Sequence, residues 1–204
     1  MPLNSPEKIV SLYLRLNGFF LMQHFTVFFT KRARHTDVLA VRLSNAEERI
    51  GDSILEKDTR FLNELGSPAV DICLVAEIKG SRHRELDQEA IDQVRRISEY
   101  AGHMFGTTSR IRKVLFRTQT SCIFTSNGVT QISIQHCVKW ILDRLADAQR
   151  LANRAETYSK LGSWAWSEDF LSDLLYLARA GVSFTSHHNC SVASEAAVSS
   201  RSRL

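Results

Sequence analysis

Asp37, Glu77 and Lys79 are the side chains whose types and spacing bear most directly on chemistry. Glu77 and Lys79 close the near-continuous apolar run from Val70 to Ile78 (VDICLVAEI) with a charged Glu-Ile-Lys-Gly. Strand side chains alternate, so Glu77 and Lys79 share one face of a sheet, and an adjacent strand carrying Asp37 among Val, Leu and Ala brings a second carboxylate beside them. Ionised groups entering a buried sheet are costly unless paired or metal-bound. Phosphodiester hydrolysis needs a nucleophilic water, an offset for charge growing on the phosphorus oxygens, and help for the leaving oxygen. Two carboxylates holding Mg²⁺ (or Mn²⁺) supply a Lewis acid and bound water, and a lysine beside them orients or deprotonates that water and stabilises developing charge. A Glu-x-Lys alone is a common, solvated strand terminus. The apolar strand before it and the Asp on a neighbouring strand set this one apart.

Those residues must be held by regular elements. Ser5-Pro6-Glu7 reads as a helix start and Asn17-Gly18 as its left-handed stop, giving a helix at about 6–17. Aromatic and β-branched residues from Phe19 to Thr30 predict a strand, the basic cluster Lys31, Arg32, Arg34, His35 a turn, and Thr36 to Leu43 a second strand. Ser44 to Ser67 is a polar insert, in which Ala46 to Leu65 forms a helix or an ordered excursion. Val70 to Ile78 is a strand buried on both faces, and Asp87 to Met104 carries Ile91, Val94, Ile97 and Ala101 on one stripe of an amphipathic helix. Short strands are expected at 114–116, 122–124 and 129–135, with a turn at Ser126-Asn127-Gly128. Helices are expected at about 136–153 and 167–180.

The runs RHTDVLAV and DICLVAEIKG resemble the signature of PD-(D/E)xK, or restriction-endonuclease-like, nucleases, especially branches similar to Holliday-junction resolvases and Mrr-type restriction enzymes. The resemblance covers about residues 5–117. It implies an α/β fold with an αβββαβ core, a central mixed sheet flanked by helices, and extra helices C-terminal to it. It further implies hydrolysis of DNA with a divalent metal, Asp37 and Glu77 as ligands and Lys79 as partner of the attacking water. Some branches place a carboxylate on the first helix, where Glu7 stands here, although a helix-start role also accounts for Glu7. Others place a Gln on the helix after the Glu-x-Lys strand. Gln93 is that candidate, with Gln88 behind it and Tyr100 two turns later. The chain lacks a Pro before Asp37, and its 44–67 insert separates the two site strands. Asp71 is an alternative partner for Glu77, but six positions along one strand is about 20 Å, too far to share an ion.

Lys31, Arg32, Arg34, Arg82, Arg84, Arg95 and Arg96 lie near the site strands or the helix after them and form a candidate phosphate track, which would bind DNA without reading its sequence. Ser81 follows Gly80 closely enough to touch a phosphate, though a turn role also fits. The chain of 204 residues carries 26 Lys+Arg against 22 Asp+Glu, a net charge of +4 that permits a polyanionic partner without requiring one. One domain at 1–183 (core about 5–117, helical part about 136–181) with a disordered tail at 184–204 suits this length and the Ser/Ala/Arg-rich end. The four cysteines form no C-x-x-C pair, which implies a reducing compartment. Phe19 to Phe29 is too short and too interrupted to cross a bilayer, and no secretory leader pattern opens the chain, so a cytoplasmic protein with no membrane partner is expected. No nucleotide-binding loop is present. His187, His188 and Cys190 lack a second ligand pair for zinc, and Trp164, Trp166, Phe170, Leu174 and Leu177 suit packing of a helix. The competing functions are a catalytically inactive member of the same fold that binds nucleic acid or protein, and a structural subunit whose interface is the helix from Trp164 to Leu177. Cutting both strands of a duplex would favour a homodimer.

Overall fold

The structure is a computed structural model that describes residues 5–29, 32–44, 46–50, 52–79, 84–104, 111–118 and 123–154. In chain order the elements are α1 (Ser5–Leu16), β1 (Phe20–Phe29), β2 (Arg32–Arg42), β3 (Arg49–Ile50), β4 (Ser53–Ile54), α2 (Thr59–Glu64), β5 (Ile72–Lys79), α3 (Arg84–Met104), β6 (Ile111–Arg117), β7 (Phe124–Ser126), β8 (Val129–Ser133) and α4 (Ile134–Arg154).

Helix α1 ends where a left-handed residue becomes available. Gly18 takes φ 84°, and the N–H groups of Gly18 and Phe19 donate to Arg15 O at 2.9 Å and Leu14 O at 3.1 Å. These paired bonds satisfy carbonyls that the last turn leaves open. The chain then enters a six-stranded sheet of order β1-β2-β5-β6-β8-β7. The pairs β1–β2, β2–β5 and β7–β8 are antiparallel, while β5–β6 and β6–β8 are parallel. Helix α3 makes the crossover between β5 and β6 that a parallel pair requires.

The two faces of the sheet carry separate cores. Even-numbered residues of β2 and β5 (Val38, Ala40, Ile72, Leu74, Ala76, Ile78) pack with Tyr13 and Leu14 of α1 and Ile141 of α4. Odd-numbered ones (Leu39, Cys73, Val75) pack with Val94, Ile97 and Ala101 of α3. The protein is thus α/β, a mixed sheet between helices, and β5 is buried on both faces as its composition predicts.

Several expected bounds need correction, and the insert takes one of its two expected forms. The basic cluster at 31–35 is not a turn as a whole: β2 begins at Arg32, so Arg32, Arg34 and His35 are strand residues. The insert is an ordered excursion with one short helix, because the two-residue strands β3 and β4 pair as a hairpin before α2. Helix α3 starts at Arg84, ahead of the expected Asp87. The expected helix at 167–180 and the tail at 184–204 lie outside the described residues, as do His187, His188 and Cys190. Cys73 and Cys137 are buried free thiols. No helix of the described residues is long and apolar enough to cross a membrane.

Arg42 joins the insert to this frame. It is fully buried, and it donates through Nε to Asn17 O at 3.1 Å and through Nη1 to Pro68 O at 2.8 Å. Its charge therefore faces the C-terminal, negative end of α1.

Candidate active site

Glu77 sits on β5, two positions from the end of the strand, with its side chain 1% exposed. Its Oε2 accepts from Lys79 Nζ at 3.2 Å and its Oε1 from Gln93 Nε2 of α3 at 3.0 Å. Gln93 also donates to the carbonyl of His35 on β2. Strand alternation thus brings Glu77 and Lys79 together as expected, and the helix crossing that face delivers Gln93. Lys79 itself remains about one-third exposed.

Asp37 lies on β2 next to Glu77. The β2–β5 ladder runs as far as Val38↔Ala76, and at the next position the Asp37 Oδ2 accepts from the Ile78 N–H at 2.6 Å. The Thr36 hydroxyl donates to Ala76 O at 2.9 Å and lies within reach of the Glu77 carboxyl, with one proton to give to either. Burial, and after it the charge of Asp37, pushes the Glu77 carboxyl up to about 7, while Lys79 and Thr36 pull it back.

The site lies at the carboxyl ends of the parallel pair β5 and β6, where open α/β sheets offer a crevice. Parallel register sets Arg117 directly beside Lys79. Arg117 is half-buried and donates through Nη1 to Gln131 Oε1 of β8 at 2.9 Å. Two cations and two carboxylates are therefore gathered at one end of the sheet. Among the described residues no group of three or more His, Cys, Asp or Glu stands ready to hold a metal. Two carboxylates nonetheless suit Mg²⁺, which is commonly bound through one or two carboxylates and keeps several waters.

The other candidates fall elsewhere. Glu7 is in the first turn of α1, on the sheet face opposite Glu77, so the fold groups it with α1 and α4. Gln88 donates to Asp92 Oδ1 of its own helix at 3.1 Å. Asp71 is at the other end of β5, where its Oδ1 accepts from the Ser44 N–H at 2.6 Å. Arg95 donates to Asn127 O at 3.1 Å and lies 3.8 Å from Asp92, so it is already engaged, and Arg96 is exposed on the same helix. Arg32, Arg34 and Arg84 are on β2 and α3, whereas Lys31, Ser81 and Arg82 lie outside the described residues.

A second polar cluster went unread in the sequence. On the opposite sheet face the Asp58 Oδ2 accepts from Tyr13 OH at 2.7 Å and pairs with His136 Nε2 at 2.6 Å, while its Oδ1 caps α2 through the Phe61 N–H at 3.0 Å. An ionised carboxylate only accepts, so His136 carries its hydrogen on Nε2. Burial works to raise the Asp58 carboxyl, but the bonds from His136, Tyr13 and Phe61 outweigh it and hold the group below its ordinary value. Burial likewise pushes the Tyr13 phenol well up. The Tyr13 hydroxyl, both Asp58 oxygens and His136 Nε2 are all engaged within the cluster or with α2, and Tyr13 packs against Phe61, Phe116 and Trp140, so the cluster serves as a brace.

No protein-family model, curated protein or solved structure matches the chain.

Proposed function

We propose that the chain is a divalent-metal-dependent endonuclease that hydrolyses DNA phosphodiester bonds, with a restriction-endonuclease-like αβββαβ core formed by α1, β1, β2, β5, α3 and β6. The observation that carries this reading is the buried Glu77 carboxylate at a strand end, flanked by Asp37, Lys79 and Gln93. A carboxylate this deep, beside the charge of Asp37, is costly to ionise even with Lys79 at 3.2 Å, so a further cation would favour it. Asp37 and Glu77 would hold Mg²⁺ or Mn²⁺, which would supply Lewis acidity and a more acidic bound water.

Lys79, partly exposed beside Glu77, then orients the attacking water and offsets charge on the phosphorus oxygens. Gln93 fixes the Glu77 rotamer by spanning from its carboxylate to the β2 backbone. Arg117, level with Lys79, contacts the neighbouring phosphate. DNA affinity from such contacts weakens with salt, and cutting both strands of a duplex calls for two copies of the chain.

Calorimetric titration of the full chain with Mn²⁺ tests the ligand set. One bound ion per chain is expected, with binding lost in Asp37→Ala and Glu77→Ala. Absence of binding by the wild type would remove the catalytic reading. A second reading, an inactive member of the fold that binds nucleic acid or protein, is favoured by the fact that Lys79 and Gln93 already satisfy both oxygens of Glu77. It predicts DNA affinity in EDTA that Asp37→Ala leaves unchanged, with no cleavage.

A further inference from the structure

Strand β1 contains a conformation that a regular strand has no use for. His24 has φ 52°, in the left-handed region where a non-glycine residue needs a reason to stay. It lies directly across the ladder from Asp37, because the pairs Gln23↔Val38 and Phe25↔Thr36 flank the two and neither His24 nor Asp37 is itself paired.

The effect can be traced on both strands. Residues two apart in a strand face the same way. Gln23, however, donates to Ser11 Oγ of α1 at 2.7 Å, whereas Phe25 packs against the core cluster on the α3 face that includes Leu39 and Val94. The strand has therefore exchanged its faces at His24. The partner strand follows. Val38 belongs to the α1 face, yet Thr36 acts on Glu77, whose carboxylate meets Gln93 of α3. Asp37 is the residue at which β2 makes the exchange. Its side chain turns along the sheet and accepts from the Ile78 N–H, which a regular ladder position would not allow.

We propose that His24 is a positioning residue: its left-handed backbone is the device that releases Asp37 from regular pairing and turns it, with Thr36 next to it, towards Glu77. The proposal deepens the nuclease reading by assigning Asp37 its orientation, but its first test does not depend on metal or catalysis. The conformation is what matters, so Gly and Asn, which adopt positive φ readily, should replace His, and a β-branched residue should not.

The measurement is the backbone amide resonance of Ile78 in metal-free full-length protein, compared among wild type, Asp37→Asn, His24→Gly, His24→Asn, His24→Ala and His24→Val. A bond to a carboxylate draws an amide proton downfield, so the Ile78 signal should move upfield in Asp37→Asn. His24→Gly and His24→Asn should keep the wild-type position. His24→Val should move towards Asp37→Asn, with the Leu74 and Val75 amides unchanged as evidence of an intact sheet. His24→Ala gives the same comparison should the Val variant fail to fold. An Ile78 signal that stays at the wild-type position in folded His24→Val or His24→Ala overturns the proposal. Mn²⁺ affinity provides the second readout, falling roughly tenfold or more in His24→Val and being restored in His24→Gly. If wild type binds no Mn²⁺, the nuclease reading fails while the Ile78 comparison still decides the role of His24.

Discussion

Glu77 has both carboxylate oxygens bonded, to Lys79 and to Gln93, and is still held up to about 7. Burial therefore outweighs two good partners, a balance expected of a group placed for function at a cost in stability. The sign of the pH effect follows from the direction of the shift. Between the ordinary value of 4.5 and about 7 the folded state binds more protons than the unfolded chain, so this group's contribution to stability falls as pH rises through that window. Glu77→Gln removes the titration. In EDTA it should melt at least roughly 4 °C higher than wild type at pH 8, and the gap should close by about pH 4, below the ordinary carboxyl range. A gap of constant size in thermal melts at both pH values would contradict the stated cause. At this scale Glu77 and Lys79 were legible from strand alternation and Asp37 from its place on a neighbouring strand, whereas Gln93 came from what the family resemblance implies for the helix after the Glu-x-Lys strand. Arg117 and His24 were not legible. An Arg closing a short strand says nothing until register sets it beside Lys79, and a lone His in a run of aromatics carries no sign of its φ.

Among the elements, α2 and the hairpin before it show where local pattern runs out. The polar stretch at 46–65 has no sustained period, and its course is set from outside. Arg144 of α4, 3% exposed, donates to Glu48 at 2.8 Å, and Asp58 ties the start of α2 to α1 and α4. By contrast α1, β5 and α3 carry their own signals in caps, apolar runs and stripes, which is why they were legible. Asp58→Ala would leave Tyr13 OH, His136 Nε2 and the Phe61 N–H without their acceptor, a loss of about 3 kcal/mol in urea denaturation at pH 7. Because the folded-state Asp58 carboxyl lies below its ordinary 3.8, its stabilisation is complete above that value and is lost as pH falls through the folded value. The difference between wild type and Asp58→Ala should therefore shrink in strong acid. A difference that grows there would show that the bonds to Asp58 do not favour its ionised form.

Taken as a whole, the molecule divides its labour between the two faces of one sheet. The α1–α4 face holds the brace around Asp58 and Tyr13, and the α3 face holds Glu77, Lys79 and Gln93 at the carboxyl ends of β5 and β6. A change to the brace should thus lower stability while leaving a folded site intact, whereas Arg117→Ala should act on substrate. For Arg117→Ala we expect KM for DNA to rise roughly tenfold, the loss of one charge-assisted contact, with kcat little changed. An equal fall in kcat at constant KM would place Arg117 in the chemical step instead. The helices and strands were legible from local pattern, and their mixed sheet from what the family resemblance implies. The exchange of faces at His24 and Asp37 was not, since it exists only once two strands are paired.

The central claim is tested most directly by incubating the purified full chain with branched, duplex and single-stranded DNA in Mg²⁺, Mn²⁺ or EDTA, beside Asp37→Ala and Lys79→Ala. The site described here predicts cleavage that requires the metal and falls by two or more orders of magnitude in both variants, roughly the loss of one electrostatic contact to the transition state. Cleavage that persists in EDTA or in either variant, or no cleavage of any substrate by protein that binds Mn²⁺ and DNA, would contradict it.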